Sequence, residues 1–204
     1  MLTSVVKVLK VCMLSNQKNQ SGCLVLVIGA SGVGKDSLLK AVQQRFAQNR
    51  QIHFLKRVIT RPCIPDNEEH DTVTIDNFLL ALERGEFAVS WQANGNYYGL
   101  PRHAQDKISD GMVVVANGSR GALETIRAAF PKIDVVLIAA QAITVQQRLN
   151  SRTRESTEQI AQRLQRNAEL DIKSLQSHTI IDNDGTLRDA VDALSNHITA
   201  LLPK

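Results

Sequence analysis

Aromatic residues make up only 4% of the chain, too few for the flat platforms on which single-stranded nucleic acid stacks. There are three cysteines, Cys12, Cys23 and Cys63, and their spacing fits no metal-ligand pattern. An odd number in a chain of this size points to reduced thiols and a cytoplasmic setting rather than a disulfide framework. No apolar run approaches the roughly 18 residues that a membrane span requires. Near the N-terminus Val5, Val6, Val8, Leu9 and Val11 are apolar, but Lys7 and Lys10 interrupt them, and no clear small-residue cleavage site follows. A signal peptide is therefore not indicated. Charge of one sign is not in large excess either. The 24 basic and 20 acidic residues leave a net charge of +4, which suits an anionic ligand and is too small to argue for a nucleic-acid partner. The chain has no internal repeat and no low-complexity segment.

What remains is ordinary soluble composition, 43% hydrophobic and 22% charged over 204 residues, enough for one domain with a sizeable core. Residues 1–21 read as a loosely ordered extension, with the polar stretch Ser15 to Gly22 as linker and Met13 as an alternative start. The domain itself is expected to occupy residues 22–204.

The most informative stretch is Gly29-Ala30-Ser31-Gly32-Val33-Gly34-Lys35-Asp36-Ser37. It follows the apolar run Leu24 to Ile28 and precedes a helical pattern of Leu38, Leu39, Val42 and Phe46. Strand, glycine-rich turn and helix are the context of a phosphate-cradling P-loop. Its inward-pointing backbone N–H groups and the positive end of the helix suit the phosphates of a nucleotide, and Lys35 can reach the β- and γ-phosphates. One position departs from the motif. A serine or threonine hydroxyl normally follows the lysine and binds Mg²⁺; here Asp36 stands there and Ser37 comes one place later. Both are candidate Mg²⁺ ligands. A carboxylate beside a triphosphate repels it unless a cation intervenes, which favours a metal role for Asp36 over a simple helix-start acid.

Further along, strands are expected at Ile52–Ile59, after Phe87, at Met112–Ala116, at Ile133–Ala139 and at Thr179–Ile181. A polar loop is expected from Thr60 to Asn77, a short helix marked by Phe78, Leu79 and Leu82, turns at Asn94-Gly95-Asn96 and Asp182-Asn183-Asp184-Gly185, and helices from Pro101 towards Asp110, from Ser119 to before Pro131, from Ile143 to Arg152, through Ile160, Leu164 and Leu170, and over Leu187 to Ile198. Strands alternating with helices imply an α/β fold, with a parallel sheet, helices on both faces and the ligand at the carboxyl ends of the strands.

Several motifs then occur in order. They are Thr60-Arg61-Pro62, Glu68, Gly95-Asn96-Tyr97-Tyr98-Gly99, Arg148-Leu149 with Arg152, and Ile160 with Arg163-Leu164. This order resembles the guanylate kinase superfamily from Leu24 onward. The resemblance implies a P-loop kinase three-layer fold with a parallel central sheet, a small acceptor-binding lobe at about 60–100 and an arginine-bearing lid at about 150–160. It implies phosphate-gripping roles for Arg61, Tyr97 and Tyr98. It also implies that Arg152 and Arg163 act with Lys35 on the transferring phosphoryl group, Arg148 and Arg154 being second choices. Three features resemble one branch, the ribose 1,5-bisphosphate phosphokinases: Gly34-Lys35-Asp36-Ser37, Ser90 to Gly99 with Trp91, and Val114 to Arg120 with Asn117. That branch implies ATP and a small sugar phosphate as substrates, phosphoribosyl diphosphate as product, and a place in phosphonate use. Arg120 is then a candidate for a second acceptor phosphate or a solvated helix-start arginine, and Glu68 a candidate for sugar hydroxyls, with His70 beside it. Two other readings stay open. A guanylate kinase would want a carboxylate for guanine where the chain has Asn117, and a non-catalytic protein-binding module would be expected to lose Lys35, Arg152 and Arg163.

Overall fold

Leu24 to Ile28 are all fully buried, and their alternate side chains serve two different cores. A strand apolar on both faces belongs in the interior of a parallel sheet. In the computed structural model, which describes residues 22–61, 70–150 and 178–203, this strand is β1 (Cys23–Gly29). It lies third in a five-stranded sheet with β2 (Ile52–Leu55), β7 (Val113–Asn117), β8 (Ile133–Ala139) and β9 (Thr179–Asp182), in the order β2-β7-β1-β8-β9. All four pairings are parallel.

Val25 and Val27 join one core with Leu38 and Val42 of α1 (Lys35–Arg45) and Leu194 and Ile198 of α6 (Leu187–Ala200). Leu24, Leu26 and Ile28 join the other, with Ala104 of α3 (His103–Ser109) and Leu123 and Ile126 of α4 (Leu123–Ala129). Helix, sheet and helix thus form the expected three layers. Register carries the ends of β1 and β7 to one edge: Val27 lies opposite Asn117, so β7 ends beside the glycine-rich loop. Thr186 caps α6, its Oγ1 accepting the Asp189 N–H at 3.2 Å and donating to the Asp189 carboxylate at 2.6 Å. The Arg45–Asp192 ion pair, 2.6 Å, ties α6 to α1.

A second, four-stranded sheet lies within residues 58–101. Its order is β4-β3-β6-β5, with β3 (Val58–Ile59), β4 (Asp71–Thr72), β5 (Phe87–Ala93) and β6 (Asn96–Pro101). The turn between β5 and β6 falls at Asn94 and Gly95, both at positive φ. Helix α2 (Ile75–Glu83) starts at Thr74, whose hydroxyl accepts the Asn77 N–H at 3.2 Å. Phe78 of α2 is fully buried, stacked on Phe87 at 4.6 Å and tilted against Tyr97 at 5.4 Å. Phe78→Ala should cost about 3–5 kcal/mol and lower the melting temperature by about 10 °C. A thermal melt matching the parent would refute that anchoring role.

Four expectations need correction. The strand expected over Ile52–Ile59 is two strands in two sheets. Pairing with β7 ends at Leu55, and after Lys56 and Arg57 the chain pairs with β6 instead. The loop expected from Thr60 to Asn77 contains β4 and the start of α2. Pro101 ends β6 rather than starting a helix; with no N–H to give, it suits a strand end, and α3 begins at His103. After Ser119 the first turn is a tighter 3₁₀ turn, Arg120–Ala122, before α4. Helix α5 runs over Ala142–Asn150. The expected extension at 1–21, the lid beyond 150 and the helix through Ile160 and Leu170 lie outside the described residues. Among the described residues no helix is long and apolar enough to cross a membrane.

Candidate active site

The loop between β1 and α1 has the shape its glycines allow. Gly34 takes a left-handed φ of +96° at the N-terminal cap of α1. A Cβ there would lie 2.6 Å from Asn183 Nδ2, so the position has room for glycine alone. Lys35 folds back over the loop, its Nζ donating to Gly29 O and Ala30 O, both at 2.9 Å. The ammonium thereby ties the end of β1 to the start of the glycine-rich loop. Ser31 is exposed, Val33 is buried as an apolar anchor, and Ser37 is exposed in the first turn of α1.

Asp36 also lies in that first turn. Its Oδ1 accepts from Asn117 Nδ2 at 3.0 Å, joining the start of α1 to the end of β7. Asn117 is only 6% exposed, and its Oδ1 is buried with no hydrogen-bond partner among the described residues. Among the described residues no three His, Cys, Asp or Glu side chains cluster as a metal cage. Asp36 with Ser37 fits Mg²⁺ all the same, because that ion favours one or two carboxylates plus nucleotide phosphates and water over an all-protein cage. The unmatched Asn117 Oδ1 is an acceptor suited to a metal-bound water.

Arg148, a second choice for the transferring phosphoryl group, instead fastens the loop. Its guanidinium donates to Val33 O at 3.1 Å and to Asn183 O at 2.7 Å. Asn183 Nδ2 donates to the same Val33 O at 2.7 Å. One loop carbonyl is thus held from α5 and from the turn after β9. Asp184 in that turn accepts the Gln141 N–H at 2.8 and 3.0 Å. That bond, followed by one from Thr144, holds the Asp184 carboxyl below its usual value. Sequence reading recognised residues 182–185 only as a turn; the single hint of more was an asparagine buried between two aspartates.

On the acceptor side the expected residues separate. Successive strand residues face opposite ways, and Tyr97 and Tyr98 do so here. Tyr97 packs against Phe78 beneath α2. Tyr98 stacks on Trp91 at 5.5 Å with rings 6° from parallel, and Trp91 packs on the second core, towards the body of the protein. Tyr98 alone of the pair therefore lies on the face towards the central sheet. Arg57, overlooked in the sequence, is buried with its guanidinium 5.5 Å from the Tyr98 ring centroid. Its signal was a charge kept inside an apolar stretch.

Arg61 sits at the end of this segment, its carbonyl accepting from His70 Nε2 and Thr72 Oγ1, each at 3.3 Å. Arg61 Nε and Trp91 Nε1 are buried donors with no partner among the described residues. Unmatched donors on a lobe suit an anion. Arg120 opens the turn after β7, half-buried, and that burial pushes its guanidinium below its usual value. Glu68, Arg152, Arg154 and Arg163 lie outside the described residues.

Comparison with known proteins gives a consistent result. The guanylate kinase family model matches residues 21–201. The chain is 40% identical over 183 residues to the ribose 1,5-bisphosphate phosphokinase PhnN of Brucella melitensis, covering 90% of this chain and 95% of that protein. It is 43% identical over 173 residues to the enzyme of the same name from Pseudofrankia inefficax, covering 85% of this chain and 88% of that one. The crystal structure of guanylate kinase from Anaplasma phagocytophilum superposes with a TM-score of 0.62 over 90% of this chain and 88% of that one, at 18% identity, a likeness of fold. The chain therefore belongs to the guanylate kinase family, in its ribose 1,5-bisphosphate phosphokinase branch.

Proposed function

We infer that the protein is an ATP-dependent kinase that converts ribose 1,5-bisphosphate to 5-phosphoribosyl 1-diphosphate, in the cytoplasm and in phosphonate catabolism. The observation that carries this is identity of about 40% to ribose 1,5-bisphosphate phosphokinases along nearly the whole chain, P-loop and acceptor lobe included. The site chemistry agrees. The end of β7 carries an amide, and that amide is committed to Asp36 in the phosphate loop. The strand end itself presents an amide rather than a carboxylate to the N–H donors of guanine.

An oxygen of the acceptor's 1-phosphate forms the new bond to the γ-phosphorus, the bond from that phosphorus to the β-bridging oxygen breaks, and ADP leaves. The attacking oxygen is already ionised at neutral pH, so no general base is needed. Phosphoryl transfer asks chiefly for positioning and charge neutralisation. Residues Gly29 to Ser37 hold the ATP phosphates, and Lys35 exchanges its two carbonyl contacts for phosphate oxygens. Asp36 and Ser37 would hold Mg²⁺, which would supply positive charge to offset that of the ATP phosphates. On the acceptor side Arg61, Tyr98 and Arg120 are assigned to the sugar phosphates, with Tyr97 in support and Glu68 on the sugar hydroxyls. Arg152 and Arg163 are assigned to the transferring group.

Product identification tests this reading. With ATP and Mg²⁺, ribose 1,5-bisphosphate should give the paired ³¹P resonances of a diphosphate ester, and GMP or AMP should give no comparable turnover. Saturable phosphorylation of GMP with no product from ribose 1,5-bisphosphate would overturn it.

A further inference from the structure

The departure of Asp36 from the P-loop pattern has a counterpart 81 positions away. P-loop phosphotransferases commonly hold their metal between a loop hydroxyl and an aspartate. Here the loop carries the carboxylate, and the neighbouring strand end carries a neutral amide in contact with it. Two independent neutral-for-acid and acid-for-neutral changes would have no reason to meet. Asn117 Nδ2 and Asp36 Oδ1 do meet, at 3.0 Å.

We propose that the carboxylate of this metal locus has been transposed from the strand end to the loop, and that Asn117 is the positioning residue that makes the transposition work. The proposal rests on the reading that Asp36 faces Mg²⁺. Three observations support it. The register of β1 and β7 brings Asn117 level with Val27, two residues before Gly29, so the strand fixes where the amide stands. A hydrogen bond from an amide to a carboxylate is stronger than one between neutral groups, and it leaves Asp36 Oδ2 to a cation. Asn117 is buried, and its own Oδ1 has no partner among the described residues, which gives a metal-bound water something to donate to. An aspartate at 117 beside Asp36 would instead set two like charges at hydrogen-bond distance. The two residues therefore form a unit, and the identity of each is dictated by the other.

Calorimetric titration of ATP binding against Mg²⁺ concentration tests this, since it reads the metal separately from turnover. In Asn117→Ala the Mg²⁺ concentration that half-saturates the metal-dependent step should rise about 10–100-fold, with metal-free ATP affinity changed by less than about threefold. A residue that merely supported the fold would move both. Asp36→Ser should show a comparable rise, and Asp36→Ser/Asn117→Asp, which restores the common arrangement, should recover most of it. An Mg²⁺ midpoint untouched by Asn117→Ala but shifted by Asp36→Ser would overturn the positioning role while leaving Asp36 as the metal group. A midpoint untouched by Asp36→Ser would remove Asp36 from the metal and the proposal with it. An exchange variant no better than Asp36→Ser would overturn the transposition.

Discussion

Lys35→Ala is expected to lower kcat/KM by about 10³-fold while the protein still folds. The charge of the loop explains the size of the effect. Between Gly29 and Ser37, Lys35 is the only cation and Asp36 the only anion, so the two cancel. A loop with a hydroxyl after the lysine would be left neutral by the substitution. This one would be left negative, facing a triphosphate. In the folded protein the Lys35 ammonium makes two 2.9 Å contacts with loop carbonyls, and the side chain is partly exposed. Each such hydrogen bond contributes about 1 kcal/mol net, so the melting temperature should fall by only a few degrees. Coupled ADP release and a circular-dichroism melt measure the two effects. Activity within tenfold of the parent would show that the phosphates are neutralised elsewhere.

Gly34→Ala should strongly destabilise the loop for a change of a single methyl. The backbone there has a φ of +96°, which costs an L-residue about 1–2 kcal/mol. The new methyl would also stand 2.6 Å from Asn183 Nδ2. That amide cannot step aside freely, because it donates to Val33 O while the backbone carbonyl of Asn183 is held by Arg148. Asn183 is 3% exposed, so breaking the contact strands a buried amide at a cost of about 1–3 kcal/mol. Together the two costs should lower the melting temperature by about 10 °C and weaken ATP binding. The double variant Gly34→Ala/Asn183→Ala removes the clash but keeps the backbone strain. It should therefore lose less than the two single variants summed. Strict additivity would show that Asn183 does not constrain residue 34.

Local signals in the chain were enough for the frame of this site. The glycine spacing between a buried strand and an amphipathic helix located the loop, and runs such as Met112–Ala116 and Ile133–Ala139 announced strands covered on both faces. The chain order of the motifs announced the lobe. Long-range pairings were not legible. Ile52–Ile59 reads as one strand, since nothing local tells that its second half pairs with β6 rather than β7. Tyr97 and Tyr98 read as one phosphate grip, although strand alternation sends their rings to opposite faces. Asn117 was noticed for the acid it lacked, and its partner emerged only once β7 lay beside β1. The loop contacts of Asn183 and Arg148 were hidden for the same reason: what they hold is a backbone carbonyl, and backbone acceptors leave no trace in residue identity.

The bond from Asn183 to Val33 joins positions 150 residues apart. It has a temporal meaning as well as a spatial one. The whole glycine-rich signature leaves the ribosome early, yet the side chain that secures it is synthesised near the end. A nascent chain long enough to contain every residue assigned to phosphate still lacks the Asn183 half of its loop's fastening. Competence to bind ATP should thus arrive late and abruptly, as the closing strand docks against β8. Long-range closure of this kind is also slow to form. A product truncated before residue 183 would keep an intact nucleotide motif in its sequence and lose one of the two side chains that hold Val33 O.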